Sequence, residues 1–250
     1  FGILTYAIED IGTTNENINS EFYLRGKPCA YEYEPMTNFN LAAYLQINHT
    51  YRTYSKYPSV TVCRVFDTEI KASGLVETTI YGYYQYSEGI YYSEILCNTT
   101  ENNMTKGNYW EDCKIVKDTY PAELLKHSSD DLLTEISNDL QTLSSEYLQS
   151  LISYDPTKFQ LYMSVIDTDY ENYAIIYTCI KDELGSEENI EIVQTNVSED
   201  SKFKEALEKN KIKFEELIPS NATYCMTCGR QEIVSKEVGN NGKQDDKKEK

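Results

Sequence analysis

The feature that most constrains this chain is a succession of eight short runs rich in β-branched and aromatic residues, broken by turn residues. The runs are His49–Tyr54, Ser59–Ile70, Val76–Tyr86, Ile90–Cys97, Tyr109–Lys117, Lys158–Ile166, Tyr173–Lys181 and Asn189–Thr195. Such residues fit a pleated, half-buried surface, and the chain carries 23 tyrosines to supply them. Ser87-Glu88-Gly89 joins the third and fourth runs as a hairpin turn. Eight antiparallel strands in succession close into a barrel wide enough for one small ligand, and closure removes the exposed sheet edges. The expected fold class is therefore all-β, an eight-stranded antiparallel up-and-down barrel.

Two segments change period. Between the fifth and sixth runs, Leu132, Ile136, Leu140, Leu143, Tyr147 and Leu151 fall at steps of four and three, which draws one stripe along a helix ended by Pro156. A second amphipathic helix is expected over 200–218, with Phe203, Leu207, Phe214 and Leu217 on one side and Pro219 closing it. The expected organisation is an N-terminal extension over 1–28, a barrel domain over 29–228 with a helical insertion at 119–156, and a disordered Gly/Asn/Lys-rich tail over 229–250.

The formal net charge is −18. Such a field repels nucleic acid and anionic membrane and suits solubility or a basic protein face. No run of apolar residues is long enough to span a membrane. Seven cysteines are dispersed along the chain, and Asn-x-Ser/Thr sequons occur at Asn48, Asn98, Asn103, Asn196 and Asn221. Together these features point to a secreted, disulfide-bonded glycoprotein. Phe1 in place of a methionine is read as a chain whose signal peptide has been removed. Cys97 and Cys113 flank the loop between the fourth and fifth runs and are placed to bridge that hairpin.

Three stretches resemble lipocalins. The first is Pro35-Met36-Thr37-Asn38-Phe39-Asn40-Leu41-Ala42-Ala43-Tyr44-Leu45, an entry segment before the first strand. The second runs from Val165-Ile166-Asp167-Thr168-Asp169-Tyr170 to Thr178-Cys179 across the turn between the sixth and seventh strands. The third is the late helix followed by Cys225. The entry segment, Val62-Cys63-Arg64-Val65-Phe66 and Gly82-Tyr83-Tyr84 look most like the triabin branch, which implies an arthropod salivary or haemolymph protein. The family's Gly-x-Trp is absent from Leu45–Tyr51, and its late arginine falls near Gln194 or Thr195. The resemblance implies bridges from Cys29 to Cys179 and from Cys63 to Cys225 or Cys228. Each closes a loop long enough for the chain-entropy account to give about 5 kcal/mol. The leftover cysteine is open to intermolecular pairing. A redox role for Cys225-Met226-Thr227-Cys228 lacks the strand and helix such a motif needs.

Strand parity then gives a candidate site. In the sixth run Phe159, Leu161, Met163 and Val165 form a fully apolar set, which is expected to face inward. If Cys179 reaches outside the barrel, Ala174, Ile176 and Thr178 face inward. In the eighth run the apolar count places Ile190 and Ile192 inside and Glu191 in solvent; the opposite parity would set Glu191 near the mouth, facing an amine. The A–B connection of a lipocalin lies at the open mouth, so the inserted helix should also sit there as a lid; the alternative is a helix packed on the barrel's outer wall or on a second molecule. The expected role is a carrier or scavenger of a small apolar or amphiphilic molecule in the barrel calyx. The alternative is an inhibitor that binds a basic host protein, such as a clotting or platelet factor, through its acidic outer surface. No catalytic motif is present, and no cofactor or metal is expected. The histidines are His49 and His127, and neither falls on the second to eighth strands, which disfavours haem.

Overall fold

A computed structural model of the chain describes residues 29, 33–86, 88–120, 155, 157–181, 186–198 and 201–231. The extension over 1–28, the helical stripe between 128 and 154, and residues 232–250 lie outside the described residues. An entry segment leads into α1 (Leu41–Tyr44), capped by the Asn40 side chain, which accepts from the Ala43 amide. The strands follow as β1 (His49–Ser55), β2 (Thr61–Ile70), β3 (Leu75–Tyr86), β4 (Gly89–Thr100), β5 (Asn108–Asp118), β6 (Lys158–Thr168), β7 (Tyr173–Lys181) and β8 (Ser186–Gln194). A short α2 (Glu101–Met104) lies between β4 and β5.

Every sequential pair of strands is antiparallel. β1 pairs with both β2 and β8, so the sheet closes on itself as an eight-stranded up-and-down barrel. Its register is set without the Gly-x-Trp signature: Tyr51 stands opposite Val65 on one side and Gln194 on the other. Gln194 lies at the end of β8, one of the two positions near which the family's arginine is expected. It is buried, and its Oε1 accepts from the Thr53 hydroxyl at 2.6 Å.

A bulge between Arg52 and Tyr54 re-aims β1. Thr50 and Arg52 face the lumen, whereas Tyr54 turns outward onto Phe203 and Phe214. The apolar residues therefore form two layers. The inner layer is the lumen, built around Phe66, Ile80, Ile95, Leu161, Met163 and Ile176. The outer layer packs Ile175, Tyr177, Ile190 and Ile192 beneath Phe203, Ala206 and Leu207 of α3 (Ser201–Lys209).

The helix expected over 200–218 stops at Lys209. Lys211 takes a left-handed conformation (φ 57°) and Ile212 folds back, donating to the Leu207 carbonyl. A 3₁₀ turn at Phe214–Glu216 and the two-residue β9 (Ile218–Pro219) follow, and β9 pairs with the outer end of β1. Leu217 is still buried, so the apolar spacing that reads as one helix is shared by a helix and a turn. Last comes α4 (Ala222–Cys228), fastened to β2 by a disulfide. Beyond it Arg230 pairs with Glu94 on the outer wall.

Three disulfides join Cys29 to Cys179, Cys63 to Cys225, and Cys97 to Cys113. Cys228 is free and exposed. The first two bridges tie the entry segment and α4 to the outside of the barrel. The third lies inside, because Cys97 and Cys113 face each other across β4 and β5 on the lumenal side.

Candidate functional site

The connections alternate between the two ends of the barrel. β1, β3, β5 and β7 all end at one rim of the barrel, the mouth. α1 and Leu45 close the other end as a plug, with Tyr44 and Leu45 lining the floor. The seven residues expected to face inward all do so. Leu161, Met163, Val165, Ala174 and Ile176 are buried in the lumenal layer, Phe159 packs against it, and Thr178 lines the upper lumen.

The lumen is not one open calyx. Phe66 projects across it and borders a cavity of about 40 Å³ toward the mouth and one of about 30 Å³ toward the floor. A water molecule needs roughly 10–15 Å³ of such space, so each cavity has room for a few waters. The waist is apolar, with Ile80, Ile95, Leu161 and Phe159 beside Phe66.

The mouth is charged. Arg52 is 2% exposed and Glu191 5%. Arg52 Nη1 donates to Glu191 Oε1 at 3.0 Å, its Nε to the Ser220 hydroxyl at 3.1 Å, and its Nη2 to the Thr61 carbonyl at 3.3 Å. This corrects the parity expected of the eighth strand. Asn189, Glu191 and Val193 face the lumen, and Ile190 and Ile192 face out. The apolar count misleads because the outer wall here is itself a core: α3 covers both isoleucines.

Arg64, from β2, lines the same cavity half-buried. Its one hydrogen bond among the described residues runs from Nη2 to the Thr61 hydroxyl at 3.3 Å, and no carboxylate lies within ion-pair distance of it there. Burial, and after it the Arg52 charge, pull the Arg64 guanidinium down to about 10. It stays cationic at neutral pH.

The floor is polar in a different way. Thr50, Thr68, Thr78, Tyr44 and Tyr109 line the lower cavity. Behind Thr78 lies Glu111 of β5, 1% exposed. Its Oε1 accepts from the Thr78 hydroxyl at 3.3 Å, and its Oε2 has no hydrogen-bond partner. Burial raises the Glu111 carboxyl to about 7. Glu111 also lies close to Cys97 and Cys113, but those sulfur atoms are bonded to each other, so the group offers a metal one carboxylate.

Arg52, Arg64 and Glu111 were not picked out as lumenal from the sequence, and Glu191 was so placed only in the less favoured of two parities. One signal was present for Arg64. A Cys63 that reaches a segment outside the barrel obliges Arg64 and Phe66 to face in, by the reasoning applied to Cys179. Of the sequons, Asn48, Asn103, Asn196 and Asn221 are exposed, whereas Asn98 sits half-buried in β4 with its Oδ1 enclosed.

The closed eight-stranded antiparallel barrel with a lined lumen has the architecture of the lipocalin fold. A family model described as Triabin matches residues 144–209. Pallidipin of Meccus pallidipennis is 26% identical over 162 residues, covering 64% of this chain and 68% of that protein. Triafestin-1 of Triatoma infestans is 25% identical over 189 residues, covering 74% and 69%. The tryptamine complex of the amine binding protein of Rhodnius prolixus superposes with a TM-score of 0.51 at 16% identity, covering 80% of this chain and 89% of that one. Fold and sequence matches together support a triabin-type lipocalin.

Proposed function

We propose that the chain is a secreted, non-enzymatic binder of a small amphiphile with an anionic head, acting as a carrier or scavenger. The observation that carries this reading is Arg64: a guanidinium at the mouth cavity, directly above an apolar waist, which makes no ion pair among the described residues although Glu187, Glu188 and Glu191 line the same cavity. A buried charge favours an opposite charge that enters with a ligand, and a guanidinium matches a carboxylate in bidentate geometry. The apolar part of the ligand would run down past Phe66 between Phe159, Leu161, Met163 and Ile176, which requires the Phe66 ring to turn. An amine head is less well served, because Glu191 is already engaged by Arg52. The amine binding protein shares only the fold with this chain, so its ligand does not transfer.

Titration with a fluorescent long-chain carboxylate tests the reading. Wild type should bind it, Arg64→Gln should weaken binding at least tenfold, and Met163→Arg should abolish it with the β-rich circular dichroism spectrum retained. Equal binding by wild type and Arg64→Gln would reject the anionic head. The small cavities support a second reading, in which the acidic outer surface binds a basic protein. Native mass spectrometry of the purified chain separates the two, since a co-purifying small molecule supports the first and a sealed, empty barrel the second.

A further inference from the structure

The two ends of the lumen differ in chemistry, and the floor is not what a plain alkyl tail requires. The waist is lined by aliphatic and aromatic carbon, yet the lower cavity ends on hydroxyl groups backed by a carboxylate. The Thr68 and Thr78 hydroxyls lie 3.3 Å apart, and Thr78 continues to Glu111 Oε1 at 3.3 Å, so a line of polar groups runs from the cavity wall to a buried acid. The second oxygen of that acid is enclosed and unpartnered. A buried oxygen without a donor is costly, and an alkyl tail that reached the floor would leave it so while also desolvating the threonines.

We propose that Glu111 is a specificity-determining residue, which with Thr78 makes the barrel floor selective for an amphiphile carrying a hydroxyl group at its buried end. The inference rests on the reading of the lumen as an amphiphile site and adds the chemistry of the ligand's far end. With Glu111 ionised, Thr78 gives it its proton and accepts from Thr68, which leaves the Thr68 oxygen as an acceptor at the cavity wall; with Glu111 protonated the line can reverse and offer the Thr68 proton instead, and a ligand hydroxyl, which both donates and accepts, meets either state. An ammonium group can only donate, so it would suit the line with Glu111 ionised and not the reversed one. The same hydroxyl serves whether Glu111 is ionised or protonated.

The test compares hexadecanoic acid with 16-hydroxyhexadecanoic acid by calorimetry on the full-length protein, for wild type, Glu111→Gln and Glu111→Leu. Wild type should prefer the hydroxylated acid about tenfold, the scale of one hydrogen bond to a charged or strongly polar acceptor. Glu111→Leu should erase the preference by weakening the hydroxy acid while the plain acid binds as well or better. Glu111→Gln, of the same shape, should keep an intermediate preference, which guards against a packing defect as the cause. Thermal melts of both variants establish that the barrel is intact. If wild type binds both acids equally, the floor is satisfied by water and the role of Glu111 is overturned while the amphiphile reading stands. If neither acid binds, the amphiphile reading fails and this one with it.

Discussion

Arg52 and Glu191 form an ion pair inside the barrel, with Nη1 and Oε1 3.0 Å apart and side chains 2% and 6% exposed. The pair spans β1 and β8 at the seam where the barrel closes, and Arg52 reaches it by the same alternation that turns Thr50 inward, just before the bulge that re-aims Tyr54. Removing one partner strands the other charge. Glu191→Ala should therefore lower stability by about 3–5 kcal/mol in urea unfolding, whereas Arg52→Met with Glu191→Leu should lose far less or nothing. Equal losses for the single and double variants would show that the pair, rather than a stranded charge, carries the stability.

Glu111 gives a pH dependence with a definite sign. Its carboxyl sits at about 7 in the folded chain against an ordinary value of 4.5. Between these two pH values the folded state holds a proton that the unfolded state has lost, so stability falls as pH rises through this window. Below about 4.5 the group contributes no penalty, and above about 7 the penalty is complete, on the order of 3 kcal/mol. Glu111→Gln should accordingly raise the melting temperature at pH 8 and leave it nearly unchanged at pH 4.5. A gain of the same size at both pH values would contradict the assignment.

Phe66 separates the two lumenal cavities. Phe66→Ala should join them and speed association of a fluorescent carboxylate in stopped-flow mixing, at a stability loss of about 3–5 kcal/mol for the vacated volume. An unchanged association rate would mean that entry is limited elsewhere.

The Cys63–Cys225 disulfide closes a sequence separation of 162 residues and fixes α4 to the barrel. Replacing both cysteines by serine should destabilise the fold by about 2–5 kcal/mol. Alkylation under non-reducing conditions should label Cys228 alone in the wild type, since it is the exposed free thiol. Labelling at Cys225 instead would show that Cys228 takes the bridge to Cys63.

Gly82 of β3 approaches β2 so closely that a Cβ there would stand 2.1 Å from the Cys63 carbonyl oxygen. Gly82→Ala should cost about 3 kcal/mol, because neither backbone can yield without breaking the ladder. A melting temperature within a degree of wild type would show that the bulge at Thr61–Cys63 relaxes to admit the methyl group.

Local pattern determined a large part of this molecule. The eight β-rich runs became the eight barrel strands within a few residues, because alternation and turn residues act over short distances. The inward set on β6 followed from the parity of that strand alone, whereas that on β7 also needed the bridge from Cys179 to a segment outside the barrel. What the sequence could not decide was which apolar face is the inner one when both faces are covered. Ile190 and Ile192 read as lumenal, yet α3 buries them outside and leaves Glu191 in the lumen. The bulge that turns Tyr54 outward, the left-handed Lys211 that ends α3, the place of Arg64 in the mouth cavity and the orphaned oxygen of Glu111 are likewise decided by tertiary structure. Each depends on what a distant segment places beside the residue, and burial, pairing and the energy of a charge exist only once the barrel has closed.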